Sequence, residues 1–297
     1  MLTDNYFVKL EGRGVLAVSG EDRANFLQGL VSNDVHLISD TCSIYAALLT
    51  PQGKFFCDFF MTNGQAEILL ECDLKLLPGL EKKLQMHKLR SKINLEDVSN
   101  KFDIFAGFGV SIHSAIGLTE NPGETMKVPN GITMVDPRLA AMGVRILLKK
   151  NDFPSFMDLN ECDRSDYELL RITSGVPDSV KDLQSQKTIL LEAGFDELNA
   201  IDWKKGCYMG QELTARTKYR GLIKRRLIPV SVSGALPEPG TLILFKGKEA
   251  GEIRSGVGSV AIASMRLNVL DEWSRLGGEL IAGASSVTPQ KQIWMNF

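Results

Sequence analysis

The segment SIYAALLTPQGKFFCDFFMTNGQAEILLEC, residues 43–72, limits the fold more than any other part of the chain. Its short β-type runs are cut by Pro51-Gln52-Gly53 and by Asn63-Gly64. An Asn-Gly pair between such runs is a strong hairpin signal, because a tight two-residue turn needs positive φ at its centre. Three adjacent antiparallel strands are therefore expected, and a purely parallel, doubly wound sheet is disfavoured.

Helical patterns are interleaved with these strands. In GVLAVSGEDRANFLQGLVSNDV an apolar run meets Gly20-Glu21-Asp22; Phe26, Leu27, Leu30 and Val31 then recur at helical spacing until Asn33-Asp34. After Pro78, the spacing places Leu80, Leu84, His87 and Leu89 near one helical face, followed by a β-like INLEDVS. The alternation continues through FDIFAGFG, SIHSAIGL and GVRILLKK. In SDYELLRITSGVPDS, Ser165 or Asp166 starts a helix that puts Leu169 and Ile172 on one face, carries Arg171, and stops at Gly175 and Pro177. This mixture reads as α+β. From Leu227 onward the chain is β-rich and closely punctuated by Gly and Pro, the texture of a small separate barrel or sandwich.

A length of 297 residues suits about two domains. With 44% hydrophobic residues, 24% charged and a net charge of -2, nothing global points to nucleic acid or to a membrane. The N-terminal stretch lacks a basic region followed by a long apolar run, and no apolar stretch approaches bilayer length, so a cytoplasmic location is expected. The 5 cysteines are sparse, odd in number and never arranged as C-x-x-C, which fits a reducing compartment and excludes a self-contained zinc site. Cys42, Cys57 and Cys72 fall in or beside β runs, where a thiol packs as a small apolar group.

Chemistry concentrates in WKKGCYMGQELTARTKYRGLIKRR, where Lys204, Lys205, Arg216, Lys218, Arg220, Lys224, Arg225 and Arg226 oppose the single acid Glu212. Gly206 and Gly210 bracket Cys207, and QELTART can start a helix just after it. Helix dipole and lysines would both favour a thiolate there. From spacing alone Cys207 remains a nucleophile, a metal ligand or one more packed side chain. His36, His87 and His113 all lie far upstream, which disfavours a histidine-activated nucleophile. The run KYRGLIKRR reads either as a solvated face or as a contact for tRNA phosphates.

KGCYMGQE, with Arg216 and YRGLIKRRL behind it, resembles the signature of the YgfZ folate-binding family, whose mitochondrial relatives are the IBA57 and CAF17 proteins. VSGEDRANFLQGLVSNDV, ALLTPQGKFFCDF, LLRITSGVPD and LLEAGFDELNAIDWKKGCYMGQE follow in the order shared with this family and the related glycine-cleavage T-protein, so the likeness spans nearly the whole chain. It implies a three-part cloverleaf. Residues 1–226 would form a folate-binding α+β region of two interleaved subdomains, the second over roughly 45–150, and 227–297 a C-terminal β-barrel. The implied function is assembly or repair of iron–sulfur clusters in client enzymes with tetrahydrofolate as ligand, and in bacteria also cluster-dependent tRNA modification.

The same resemblance maps the signature cysteine onto Cys207 and its preceding lysine onto Lys205. Cys207 would be a thiolate and transient ligand of a cluster shared with an iron–sulfur carrier or client, or take a mixed-disulfide role. A folate needs an aromatic clamp, amide-like partners and a cation. Tyr167 could stack, with Arg171, Asn33, Gln211 and Glu212 completing the set. One departure bears on activity: where T-proteins carry an acid after a strand-ending Asn-Ala, this chain reads ILLECDLKLLPGLEKK, with Pro78 at the matching position and Asp73 too early. A maturation factor is thus expected ahead of the alternative, a tetrahydrofolate-dependent aminomethyltransferase.

Overall fold

The structure, a computed structural model, describes residues 4–155, 159–221 and 223–297. Its first sheet runs, in spatial order, Ile44–Leu49, Phe55–Asn63, Glu67–Asp73, Arg13–Ser19 and Asn94–Asp97. The three strands from Ile44 to Asp73 are consecutive and antiparallel as expected, but the hairpin closes one step later than the Asn63-Gly64 pair: Asn63 still pairs with Ile68, Gly64 N donates to Glu67 O at 2.9 Å, and the positive φ, +74°, falls on Gln65. Successive strand residues point to opposite faces. Ile44, Ala46, Leu48, Cys57, Phe59 and Met61 pack with Leu27 of the helix Arg23–Gln28 and with Leu80 and Leu84 of the helix Leu77–Lys88. Tyr45, Asp58, Phe60 and Glu71 lie on the other face, with Tyr45 opposite Phe60 and Phe60 opposite Glu71 in the ladder.

A second sheet has the order Asn160–Glu161, Asn5–Lys9, Phe102–Gly109, Val144–Lys149, Gly131–Val135, Thr125–Val128. Val144, Ile146 and Leu148 enter an outer cluster, whereas Leu147, Ile104, Phe108 and Met134 join Val15, Ala17 and Leu69 of the first sheet around Tyr167. Residues 45–97 contribute strands to the first sheet, and Asn5–Lys9 crosses to the second by pairing antiparallel with Phe102–Gly109.

The helix Arg164–Thr173 is capped at Asp163, whose N–H donates to the Asp166 carboxylate at 3.2 Å. It buries Tyr167, Glu168, Arg171 and Ile172, while Leu169 stays 45% exposed instead of sharing a face with Ile172. The buried face is chosen by the partners its charged groups find. Leu89 likewise leaves its expected face, because the preceding helix ends at Lys88 and Leu89, at φ +43°, is 88% exposed.

Six strands close the C-terminal barrel in the order Arg225–Ser233, Val260–Arg266, Lys248–Val257, Leu242–Phe245, Leu280–Ala282, Ser285–Pro289. Closure removes the exposed edges that short strands would otherwise present. Among the described residues, no helix is long and apolar enough to cross a membrane.

Candidate functional site

Cys207 lies on the loop ahead of the helix Gln211–Tyr219 and is the exposed member of the five cysteines; Cys57 and Cys72 are buried, Cys42 and Cys162 half-buried. Its neighbours hold the loop down. The buried Lys205 ammonium donates to the carbonyls of Val31 at 2.6 Å, Asn33 at 2.7 Å and Gln28 at 2.9 Å. Burial pulls its pKa down from 10.5 to about 8, against the opposing charges of Asp34 and Asp202. Only the ammonium has three N–H groups for three carbonyls, so this geometry belongs to the charged form. Met209 N donates to Gly29 O at 3.1 Å, and Asp202 N to Ser32 O at 3.1 Å. Gly210 adopts φ +80°, and a Cβ there would fall 2.5 Å from the Thr50 carbonyl, so the loop closes onto the 50–53 turn only with glycine.

The positive field expected around Cys207 is largely neutralised in the folded chain. Arg216 pairs with Glu212, Lys218 with Asp196, Arg225 with Glu249 at 2.6 Å and Arg226 with Glu197 at 2.7 Å. Lys205 is taken up by carbonyls. What presents the thiol is thus loop anchoring rather than a ring of free cations.

A second constellation forms where the two sheets, the Arg164–Thr173 helix and the 177–179 turn converge on a cavity of about 30 Å³. Asp58, Phe60 and Arg13 line it from the first sheet, Arg145 from the second, and Arg138 and Tyr167 from flanking segments. Tyr45 Oη donates to Asp58 Oδ2 at 2.5 Å, and Ser179 faces the same carboxylate across the cavity. Burial raises the Asp58 pKa, opposed by hydrogen bonds from Ser179 and Tyr45 and by the charges of Arg13 and Arg138. Arg138 forms a fork with Asp136 at 3.0 and 2.7 Å, which keeps that carboxyl low despite burial. Tyr167 Oη accepts from Arg138 at 3.4 Å and Arg145 at 3.5 Å.

Arg145 stacks 3.9 Å from the Phe60 centroid and Arg138 4.9 Å from it. Arg145 Nη1 approaches Glu71 Oε2 at 3.2 Å without hydrogen-bond alignment, and its Nε is also unpartnered. Next to this cavity opens a groove of about 350 Å³ that shares Arg164 and Asp178 with it and sets Lys75 and Lys181 against Glu11 and Asp73, with Lys181 paired to Glu168 at 2.8 Å. A separate crevice of about 240 Å³ against the barrel sets Lys187, Arg225 and Arg254 against Asp182, Glu192 and Glu252, a balance that selects no ligand charge.

The residues named from sequence do not form one site. Tyr167 and Arg171 line the central cavity. Arg171, however, is occupied by Asp182 and Val176 O at 2.8 Å, Ser255 Oγ at 2.9 Å and Glu168 at 3.1 Å. Asn33 bridges Tyr45 O and Asn199 O, both at 2.8 Å, and belongs to the anchoring of the thiol loop. Gln211 accepts from Tyr208 N at 3.4 Å at the start of its helix, and the exposed Glu212 pairs with Arg216. Both stand with Cys207 and Lys205. Asp58, Arg138 and Arg145 were missed, although an acid within FFCDFFM and an arginine within GVRILL are charges inside apolar strands, the available signal.

Comparison with known proteins follows the same division. The family described as CAF17, C-terminal beta-barrel domain, matches residues 224–297. The mitochondrial iron-sulfur cluster assembly factor IBA57 of Mus musculus is 34% identical over 281 residues, covering 87% of this chain and 76% of the mouse protein. Its mitochondrial homolog from Mycosarcoma maydis is 30% identical over 312 residues, covering 90% of this chain and 75% of that one. The crystal structure of the glycine cleavage system aminomethyltransferase T from Bartonella henselae superposes with a TM-score of 0.77 over 98% of this chain and 86% of its own; at 14% identity this shows a shared fold. The cytoplasmic expectation is corrected by these relatives, which are named as mitochondrial proteins and point to that compartment instead.

Proposed function

Because the chain belongs to the family of IBA57 iron–sulfur cluster assembly factors, we propose that it assists the assembly or repair of iron–sulfur clusters in client enzymes, offering Cys207 as a transient ligand. The observation that carries this is the presentation of one thiol at the surface by a loop pinned on both sides. A single thiolate cannot hold a cluster, and no group of three or more His, Cys, Asp or Glu side chains converges among the described residues. The other ligands come from a carrier or client protein, so the cluster is cargo shared between two chains.

Cys207→Ala should fold as the wild type does, since it changes an exposed side chain. Expressed in cells deleted for the native protein, it should leave cluster-dependent enzymes with reduced activity. Full activity in those cells would refute the role given to the thiol.

Tetrahydrofolate is the ligand we assign to the central cavity. Tyr167 and Phe60 supply aromatic surface, and Asp58 and Arg145 supply acceptor and donor atoms. The donor set suits a pterin. The cavity volume, close to that of one or two waters, requires the groups roofing it to move before a bicyclic ring enters. Titration of wild type and Cys207→Ala with reduced folates tests this: equal binding would separate the pocket from the thiol, and no binding by wild type would remove the folate reading.

Aminomethyl transfer has less support, since Pro78 occupies the first turn of its helix and the Asp73 carboxylate caps Lys75 N at 2.8 Å. The tRNA reading is also weaker, because much of the basic run is held in ion pairs.

A further inference from the structure

We infer that the C-terminal end of the helix Leu77–Lys88 is a membrane-surface contact: Leu89 and Met86 enter the headgroup boundary of an anionic bilayer, and the cations around them meet its phosphates. Leu89 is the first sign of this. Its φ of +43° and ψ of -109° lie outside the three regions open to a residue with a Cβ, and a chain that leaves a helix through positive φ ordinarily does so on glycine. Strain of this kind gathers at functional positions. The interior gives Leu89 nothing in return, since it is 88% exposed and takes no part in the core cluster that Leu77, Leu80 and Leu84 join. A single exposed leucine is ordinary. Here a strained one has Met86, 61% exposed, three residues behind it on the outward side of the helix, with Gln85 and Lys82 at helical spacing from both.

The charge around this tip is of one sign. From residue 82 to 92 the chain reads KKLQMHKLRSK, with Lys82, Lys83, Lys88, Arg90 and Lys92 and no acid, a local excess that the net charge of -2 conceals. Lys82, Lys88 and Arg90 are exposed and enter no ion pair among the described residues. Lys83 lies over the Phe56 ring at 5.5 Å. Lys92 takes up the acids of the facing 20–22 turn, its ammonium pairing with Glu21 and its N–H donating to Asp22 at 2.7 Å.

The helix dipole accounts for cations in a last turn, but not for two large apolar side chains set among them. Nucleic acid or an acidic protein would satisfy the cations alone. A bilayer satisfies both, because apolar groups buried at the headgroup boundary and basic groups drawn to anionic lipid add together. The depression beside the tip is lined by Asp22, Arg90 and Ser91, so a partner protein's apolar side chain would find only Leu89 to pack on. A lipid surface, in contrast, receives a projecting side chain. Such a contact lies on the membrane, needs no spanning helix, and is independent of the thiol loop and of the central cavity.

Sedimentation of the intact chain with phosphatidylcholine vesicles, with and without phosphatidylglycerol, tests the contact. Wild type should bind the anionic vesicles, release them as salt is added, and leave the neutral ones alone. Leu89→Gly should bind at least about tenfold more weakly, the equivalent of withdrawing one leucine from apolar surroundings. Its melting temperature should not fall, since glycine accepts the backbone angles that strain leucine. A leucine with only a structural role would do the reverse, moving stability and leaving binding alone. Lys82→Gln combined with Arg90→Gln should weaken binding by about tenfold or more, the loss expected for two basic groups at a charged surface.

Wild type that stays in solution with both kinds of vesicle overturns the inference, as does a folded Leu89→Gly that binds like wild type. Loss of binding in the charge variant alone rejects lipid insertion and leaves a plain polyanion surface. Equal binding to neutral and anionic vesicles, untouched in the charge variant, rejects the role given to the cations.

Discussion

Lys205 illustrates how a residue flagged by sequence acquires a different physical role in the fold. Beside a cysteine in sequence, a lysine suggests an electrostatic helper; in the structure its three N–H groups are aimed at carbonyls of the turn after the first helix. Lys205→Met keeps the stem and removes every donor, leaving three buried carbonyls short of a partner. The expected cost is about 3 kcal/mol in denaturant unfolding, with faster amide exchange confined to the 202–210 loop and its contacts. Unchanged stability and exchange would return the lysine to an electrostatic role. The motif was legible in sequence as a unit. The direction of the ammonium was not, because it depends on a turn brought alongside by strand pairing far from it in the chain.

At the level of elements, the sheets were anticipated through their turns. Asn63-Gly64 marked one hairpin, although its positive φ falls on Gln65, and Pro129-Asn130 makes the turn between Thr125–Val128 and Gly131–Val135, with Asn130 at φ +59°. The second sheet is tied together near one end of its inner strand Phe102–Gly109 by Asp103, which accepts from Lys9, Lys150 and Asn151 N. Burial works to raise the Asp103 pKa, but the hydrogen bonds from Lys150, Lys9 and the Asn151 amide outweigh it and bring the value from 3.8 down to about 2. A carboxyl depressed in the folded state stabilises it above the unfolded pKa and loses that contribution as pH falls through the folded one. Stability should fall as pH drops from 3.8 towards about 2, and Asp103→Asn should flatten that acid limb. Parallel stability curves for the two proteins across this window would count against the arrangement.

For the whole molecule, the arginines that join its parts matter most. Arg171 links the Arg164–Thr173 helix to Asp182 and to Ser255 of the barrel, and the Ser255 N–H returns to Asp182 at 2.9 Å. Arg226, at the start of the barrel, reaches Leu191 O and Glu197, both at 2.7 Å. Removing one member of such a buried set strands the others. Arg171→Met should cost about 3–5 kcal/mol in denaturant unfolding, with little change in folate affinity for the folded fraction. Lost affinity at unchanged stability would restore Arg171 as a binding residue.

What the sequence determined by itself was local in origin. Turn chemistry and alternation gave the hairpins, Gly and Pro punctuation gave the barrel, and the ordered stretches around KGCYMGQE indicated the family. These signals are readable because each is generated within a few residues of backbone. The tertiary structure alone decided which charges share a cavity. Asp58 and Arg145 meet because facing strands of two sheets turn them to the same side, while Asn33, Gln211 and Glu212 go instead with the thiol loop. Convergence of that kind follows from long-range pairing and packing, for which local periodicity carries no term.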